Sequence, residues 1–257
     1  MGCNRRDFLL SAGQASIGVA TWAIAGEAGA ATNEAGHVPR WAMVVDVGKC
    51  IGCQACTVSC IMENAVPENS FRTIVSTYEV HDDSHTGTYM LPRLCNHCAN
   101  PPCIPVCPVG ATFQQADGTV VVDGERCVGC AYCVQACPYD ARFINHDTGK
   151  ADKCTFCAHR IAVGLLPACV ETCVGGARVF GDLNDPQSQV SQLVRQHEVK
   201  VLKPEQHTKP HVFYIGLDPR FAGRVIKKFG DSGEAYQCFL DEAEKCTPPL
   251  ESAELIT

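Results

Sequence analysis

Cysteine is the residue type whose number and spacing could do chemistry in this chain. The 257 residues include 19 cysteines, and residues 127–138 read C-V-G-C-A-Y-C-V-Q-A-C-P. In the spacing C-x2-C-x2-C-x3-C-P, three thiolates hold one cubane iron–sulfur cluster and the fourth cysteine ligates a second cluster. The small residues Gly129 and Ala131 let the backbone approach the cluster, where its N–H groups can donate hydrogen bonds to sulfur. The motif therefore predicts a partner motif elsewhere in the chain.

Sixteen of the 19 cysteines fall into four quartets. Because a four-iron cluster needs one thiolate at each iron, the quartets predict four [4Fe-4S] clusters. Ile61 and Val174 follow the first and fourth quartets, where the full motif has proline. The predicted cofactor-binding and metal-ligating residues are Cys50, Cys53, Cys56 and Cys60; Cys95, Cys98, Cys103 and Cys107; Cys127, Cys130, Cys133 and Cys137; and Cys154, Cys157, Cys169 and Cys173.

Zinc sites and disulfides are the alternative uses of so many cysteines. A closed zinc site usually joins two C-x2-C pairs across a longer loop, which three consecutive cysteines at two-residue gaps do not match. Cysteines three apart on one tight loop also pair poorly as disulfides. His97, between Cys95 and Cys98, could ligate a metal in principle. With four cysteines available, we expect His97 to lie behind the ligands or on the surface.

The charge of the chain excludes some functional classes. The formal net charge of −7 gives no basic footprint for nucleic acid. Each oxidised cluster with four thiolates adds about −2, so we expect nearby cations to offset part of that charge. No nucleophile or acid–base pair stands out, so no catalytic residue is predicted. The cations near the cysteines in sequence are Lys49, Arg93, Arg126, Arg142, Lys153 and Arg160.

The first 30 residues have the pattern of an export signal. Residues 4–10 read N-R-R-D-F-L-L, a twin-arginine pattern, and a weakly apolar run leads to the small residues 28–30. The run is shorter than the ~20 apolar residues that a spanning helix needs, so no direct membrane span is expected. A twin-arginine signal over residues 1–30 and a linker over 31–40 predict export of the folded, cluster-loaded protein to the periplasm.

The coarse pattern of elements predicts an α+β fold around the cysteine loops. Strands are expected at 41–47, 72–80 and 88–91, with a polar turn at 81–87 that holds solvated His81 and His85, and a helix at 57–64. Hairpins are expected at 111–122, around Asp117-Gly118, and at 142–153. Residues 158–168 predict a helix start and a turn ending at Pro167. The β-ribbons between cysteine loops indicate tandem bacterial-ferredoxin-like units with inserted hairpins and a cluster-centred core, a double domain over residues 41–180.

Residues 181–257 carry no further quartet and predict a C-terminal extension that packs on the core or on a partner. An amphipathic helix is expected at 185–197, capped by Asp182 or Asn184, and a strand at 211–217. Cys238 and Cys246 could form a disulfide in an oxidising compartment or remain free thiols, and the sequence leaves both open. The acidic residues 241–257 predict a mobile end.

The quartets with their open fourth member resemble a known family. Over residues 41–180 the chain is similar to the iron–sulfur electron-transfer subunits of membrane-associated, dimethyl sulfoxide reductase-type molybdenum oxidoreductases. Within that group the chain resembles the B subunits of tetrathionate reductases, and the two late segments are the discriminating part. The segments that carry this resemblance are 92–98, 127–146, 153–157, 201–204 and 211–216.

The resemblance implies both the ligand sets and the function. It implies that quartets exchange their last cysteines, so that Cys173 joins the first loop, Cys60 the fourth, Cys137 the second and Cys107 the third. The implied function is a non-catalytic electron relay from a membrane quinol-oxidising subunit, which attaches the chain to the membrane, to a molybdopterin catalytic subunit that reduces tetrathionate. The same role for thiosulfate, polysulfide or dimethyl sulfoxide, or a soluble periplasmic polyferredoxin, are the alternatives.

Overall fold

The computed structural model describes residues 37–82 and 85–218. The predicted signal over 1–30, most of the linker, Cys238, Cys246 and the acidic end lie outside the described residues. In chain order the elements are β1 (Trp41–Asp46), a 3-10 turn (Val47–Lys49), α1 (Ala55–Asn64), β2 (Thr73–Asp82), β3 (His85–Leu94), β4 (Thr112–Gln114), β5 (Val120–Val122), α2 (Tyr132–Gln135), β6 (Arg142–Asn145), β7 (Lys150–Lys153), α3 (Ala158–Ile161), α4 (Ala168–Glu171), β8 (Arg178–Asp182), α5 (Gln189–Gln196), β9 (Val199–Lys200), a second 3-10 turn (Pro204–Gln206) and β10 (Val212–Ile215).

A four-stranded sheet in the order β8-β1-β10-β9 joins the two ends of the described chain. Strand β1 pairs antiparallel with β8, where Met43 opposes Phe180, and parallel with β10, where Met43 opposes Val212. Both faces of β1 are buried, as its continuous apolar run requires. Val44 packs toward Val190 of α5 on one face, and Met43 faces the main core on the other.

Three antiparallel hairpins extend from the cysteine loops. The hairpins predicted at 111–122 and 142–153 are confirmed as β4–β5 and β6–β7. The turn predicted at 81–87 is wrong, because β2 and β3 stay paired until Asp82 opposes His85. Backbone groups make the ladder hydrogen bonds, so a run of polar residues does not by itself end a strand. His81 and His85 thus belong to strands rather than to a loop.

Several helix boundaries differ from the sequence predictions. Helix α1 begins at Ala55, slightly before the predicted residue 57. Helix α5 begins at Gln189, so the prediction of a start at Asp185 with an Asp182 or Asn184 cap is wrong. Ser188 caps α5, since its Oγ accepts a hydrogen bond from the Ser191 N–H at 3.1 Å. Asp182 is engaged elsewhere, because its Oδ1 accepts from the Arg40 N–H at 2.7 Å.

The remaining predicted elements are present. Helix α3 is a single short turn, and α4 begins directly after Pro167, as predicted for residues 158–168. The strand predicted at 211–217 is the shorter β10, which lies inside the main sheet. Among the described residues, no helix has the length and apolar character needed to cross a lipid bilayer.

Candidate metal centres

The fold gathers the sixteen predicted cysteines into four groups of four. In three of the groups, sites 1, 2 and 4 below, the four thiols line one shared cavity. The thiols of site 3 lie close enough to influence one another's ionisation. Site 1 is Cys50, Cys53, Cys56 and Cys173; site 2 is Cys60, Cys154, Cys157 and Cys169; site 3 is Cys95, Cys98, Cys103 and Cys137; and site 4 is Cys107, Cys127, Cys130 and Cys133.

Each site takes three cysteines from one quartet and one from another, which agrees with the exchange that the resemblance implied. Helix α1 explains one exchange, because Cys56 and Cys60 lie one turn apart on it and border sites 1 and 2 respectively. Helix α4 and the residues after it explain the reverse exchange, since Cys169 borders site 2 and Cys173 borders site 1. The short helices therefore couple neighbouring sites.

One backbone feature is common to the four C-x2-C loops. The residue before the second cysteine has a positive φ in each loop, +70° at Gly52, +42° at His97, +70° at Gly129 and +55° at Phe156. Two of these residues are not glycine, so the sequence does not reveal the shared conformation. At Gly129 an added Cβ would lie 2.2 Å from the Gly149 carbonyl oxygen. The neighbouring β6–β7 turn thus requires glycine at position 129. This reason is separate from the close approach to a cluster that the small size of Gly129 predicted.

Hydrogen-bond donors face the thiols at every site. The Asn64 amide lies 3.6 Å from Cys60 Sγ and 3.8 Å from Cys157 Sγ. Donors of this kind stabilise negative charge on thiolates and on cluster sulfurs. The remaining donors are the N–H groups of Ala111 to Cys107 at 3.2 Å, Ala151 to Cys127 at 3.3 Å, Phe156 to Cys154 at 3.3 Å and Ala177 to Cys173 at 3.2 Å, and the Arg142 guanidinium to Cys103 at 3.1 Å.

Burial distinguishes the inner sites from the outer ones. Site 1 includes the exposed Cys53 and site 4 the exposed Cys130, whereas the four cysteines of site 2 are buried. Burial, and then the nearby Cys169 and Cys157, raise the pKa of Cys60 to about 12. Burial, and then Cys95, raise the pKa of Cys98 in site 3 to about 12. These thiols are protonated at neutral pH, so metal binding there releases protons.

The sites form a row from site 1 to site 4. Burial raises the pKa of Cys169 of site 2 to about 11, and Cys56 of site 1 contributes to that rise. Burial similarly raises the pKa of Cys154 of site 2, with a contribution from Cys95 of site 3. Sites 3 and 4 meet at Arg142: burial would lower its pKa, but thiolates of both sites outweigh burial and raise that pKa. Each site therefore borders the next.

The donor sets fit four-iron clusters. The cysteines of residues 37–82 and 85–218 are all unbonded, and four thiols match the ligand number of a cubane. Arg178, which lines the site 1 cavity, has a buried Nη1 without a hydrogen-bond partner. An anionic cluster is a natural acceptor for it.

His97 is buried next to the predicted cysteine ligands rather than exposed on the surface. Its side chain is fully buried, its Nδ1 accepts a hydrogen bond from the Val120 N–H at 3.0 Å, and its ring stacks on Phe156 with centroids 3.8 Å apart. Burial holds the pKa of His97 well below 6.5, so the ring is neutral. Of the sequence-predicted cations, Arg142 and Lys153 are buried beside the sites, while Lys49 and Arg126 are exposed. Sequence reasoning missed Arg178 and Asn64.

Comparison with known proteins identifies relatives over most of the described chain. Residues 49–111 and 86–183 each match a 4Fe-4S dicluster domain, and together these segments contain all sixteen cysteines. The chain is 63% identical over 186 residues to the B subunit of tetrathionate reductase from Salmonella typhimurium, covering 71% of this chain and 74% of that protein. It is 45% identical over 178 residues to the B subunit of tetrathionate reductase from Archaeoglobus fulgidus, covering 69% and 83%. The B subunit of selenate reductase from Mesobacillus selenatarsenatis is 37% identical over 209 residues, covering 68% and 72%.

Proposed function

Because the chain belongs to the family of 4Fe-4S dicluster proteins that includes the B subunit of tetrathionate reductase, we propose that it relays electrons through four [4Fe-4S] clusters held at sites 1 to 4. The observation that carries this proposal is the row of four four-thiol sites, each bordering the next. An electron entering at one end of such a row can leave at the other in short steps.

The proposed architecture is two bacterial-ferredoxin-like units in tandem. Sites 1 and 2 form one unit and sites 3 and 4 the other, with the hairpins β2–β3, β4–β5 and β6–β7 inserted between the cysteine loops. The exchange of fourth cysteines within each unit supports this division. The double domain then spans residues 41–180, and residues 181–257 extend it.

The residues of the chain bind and tune the clusters. A bound [4Fe-4S] cluster supplies a one-electron couple whose potential ranges from about −700 to +450 mV among proteins, depending on hydrogen bonds, charge and burial. Cysteine thiolates hold the irons, and donors such as Asn64 and the Ala177 N–H stabilise negative charge on sulfur. The burial of sites 2 and 3 excludes water from the middle of the row, whereas Cys53 and Cys130 bring the two ends to the surface.

We propose that this relay connects a membrane quinol-oxidising subunit to a molybdopterin catalytic subunit. Tetrathionate is the proposed terminal acceptor because two of the relatives described above are named for its reduction. In this scheme the chain binds no substrate itself. Selenate, dimethyl sulfoxide, thiosulfate or polysulfide as the acceptor, and a soluble polyferredoxin without a fixed partner, are the competing functions.

We also propose that the protein works in the periplasm, attached to the cytoplasmic membrane through its partner. The support for this part is the twin-arginine pattern of residues 4–10. A folded-protein export route suits a chain whose clusters are assembled before export. Changing both Arg5 and Arg6 to lysine should leave the loaded protein in the cytoplasm, whereas unchanged periplasmic recovery would contradict the proposal.

Deletion and co-purification test the function as a whole. A strain that lacks the chain should lose growth with tetrathionate as the sole electron acceptor and keep growth with the other acceptors named above. The intact protein should also purify from membranes together with a molybdenum-containing protein. Retained growth on tetrathionate with loss on another acceptor would change the substrate, and recovery of the loaded protein without any partner would favour the polyferredoxin.

A further inference from the structure

We propose that three buried cations stand at the junctions between the sites and raise the reduction potentials of the clusters on either side. Arg178 stands between sites 1 and 2, Lys153 between sites 2 and 3, and Arg142 between sites 3 and 4. This inference rests on the proposed cluster occupancy. The three side chains belong to residues that are only 3%, 1% and 5% exposed, in that order.

The two arginines each border two sites. Arg142 Nη2 donates to Cys103 Sγ of site 3 at 3.1 Å, and its Nη1 donates at 3.3 Å to the hydroxyl of Thr112, which lines the site 4 cavity. Arg178 lines the site 1 cavity together with Cys56, and its Nη2 donates at 2.9 Å to the hydroxyl of Thr73, which lines the site 2 cavity. Each guanidinium therefore lies between two sites rather than beside one.

A repeat in the sequence accounts for this shared placement. Residues 137–142 read C-P-Y-D-A-R and residues 173–178 read C-V-G-G-A-R, so both arginines follow the last cysteine of a quartet in the pattern C-x3-A-R. Each arginine begins a strand, β6 for Arg142 and β8 for Arg178. The equivalent position in two halves of the molecule argues that the placement serves both pairs of sites.

Lys153 occupies the middle junction without an equivalent arginine. Its Nζ donates to the carbonyl of Cys154, a site 2 residue, at 2.7 Å, and also to the Val120 carbonyl. Val120 in turn donates its N–H to Nδ1 of His97, a residue of the site 3 cysteine loop, at 3.0 Å. The stacked His97 and Phe156 rings belong to the cysteine loops of sites 3 and 2, so this junction also contains neutral aromatic groups.

The surroundings of these cations need a negative partner. The oxygen atoms that accept their hydrogen bonds are neutral, the Thr112 and Thr73 hydroxyls and two backbone carbonyls. A buried charge without compensation is costly, and anionic clusters supply the compensation. Reduction adds one negative charge to a cluster, so a fixed cation nearby favours the reduced state. Removal of the cation should therefore lower the potentials of both flanking clusters.

Potentiometric titration of the loaded full-length protein, followed by electron paramagnetic resonance, tests this inference. In Arg142→Gln, the midpoint potentials of two of the four reduction steps should fall. The expected fall corresponds to an electron affinity weaker by about tenfold, or about 59 mV for a one-electron couple. In Arg178→Gln, the other two steps should shift by a similar factor. In the charge-preserving variants Arg142→Lys and Arg178→Lys, the electron affinity of each of the four reduction steps should stay within about threefold of its value in the unmodified protein.

Arg126 provides a matched control. It is adjacent to Cys127 of site 4, but its side chain is 65% exposed, so water screens its charge. Arg126→Gln should therefore change the electron affinity of no reduction step by more than about twofold. A larger shift there than in Arg142→Gln would overturn the proposal, because net charge rather than buried position would then set the potentials.

Two further outcomes would overturn the inference. Unshifted potentials in both glutamine variants at full iron content would show that the buried charges do not tune the clusters. Loss of iron in both the glutamine and the lysine variant at one position would show that the site needs the shape of arginine rather than its charge. Absence of iron and sulfide from the unmodified protein would instead contradict the proposed function, so the two failures are distinguishable.

Discussion

Replacing Gly129 with alanine should destabilise site 4 through a backbone clash. Gly129 has φ +70°, and an added Cβ would lie 2.2 Å from the Gly149 carbonyl oxygen. That carbonyl belongs to the turn between β6 and β7. Lys150, the first residue of β7, also binds the site 4 loop, since its Nζ donates to the Cys127 carbonyl at 2.6 Å. Because a backbone oxygen cannot rotate away, the cysteine loop and the turn must separate.

The expected cost follows from two contributions. A left-handed backbone costs a non-glycine residue about 1–2 kcal/mol. Overpacking against a rigid neighbour adds about 1–3 kcal/mol. Gly110 is the matched control, since it also has a positive φ, +62°, and also lies beside site 4, yet no atom lies within 4 Å of its added Cβ. Gly110→Ala should therefore carry only the backbone contribution, and the difference between the variants is about 2 kcal/mol.

The rate of cluster loss measures this difference. Both variants should be purified anaerobically and exposed to an iron chelator in mild denaturant while the visible absorbance of the clusters is followed. A difference of about 2 kcal/mol predicts that Gly129→Ala loses its most labile cluster about 30-fold faster than Gly110→Ala. Equal rates in the two variants would refute the reasoning, because the contact with Gly149 would then carry no energetic weight.

Four further substitutions test the ligand exchange, a sulfur hydrogen bond and an acid-sensitive contact. Cys173→Ala and Cys53→Ala should each lose about four irons and give the same electron paramagnetic resonance spectrum, because both residues belong to site 1. Different spectra in the two variants would contradict the placement of Cys173 in site 1. Asn64→Leu should weaken the electron affinity of one reduction step by about tenfold, since it removes the amide that donates to two sulfurs of site 2. Unchanged potentials for all four reduction steps would contradict this expectation. Burial would raise the pKa of Asp182, but the Arg40 N–H and His37 outweigh it and hold that pKa below 3.8. The stability that this carboxylate contributes is present above its unfolded pKa and is lost as pH falls through its folded pKa. In Asp182→Asn, the free energy of unfolding should therefore fall less steeply with pH below about pH 4. The same pH dependence in both proteins would argue against this contribution.

The spacing of the cysteines predicted which of them lie together within one loop, because spacing is a local property. A loop with two-residue gaps places its thiols together whatever the rest of the fold does, so the quartets could be found directly. The exchange of Cys60 and Cys173 came only from the resemblance, since it depends on how α1 packs beside α4. Spacing along the chain carries no information about that contact.

Long-range pairing and buried charge were beyond the sequence. The β1 pairing with β10 joins Met43 to Val212, and a strand pattern alone does not name its partner. Arg178 reads as an ordinary surface residue until the fold buries it, although the repeated C-x3-A-R pattern was available as a signal. The cap of α5 was misplaced because Asp182 and Ser188 are both good caps, and tertiary contacts with Arg40 decide between them.

Metal content decides whether the chain holds four iron–sulfur clusters. Iron, acid-labile sulfide and zinc should be measured per chain on anaerobically purified protein, with electron paramagnetic resonance before and after reduction by dithionite. A relay of four clusters requires about sixteen irons with matching sulfide and mutually coupled signals of reduced four-iron clusters, as expected for four sites in a row. Zinc without sulfide, or about eight irons with uncoupled signals, would contradict a relay of four clusters.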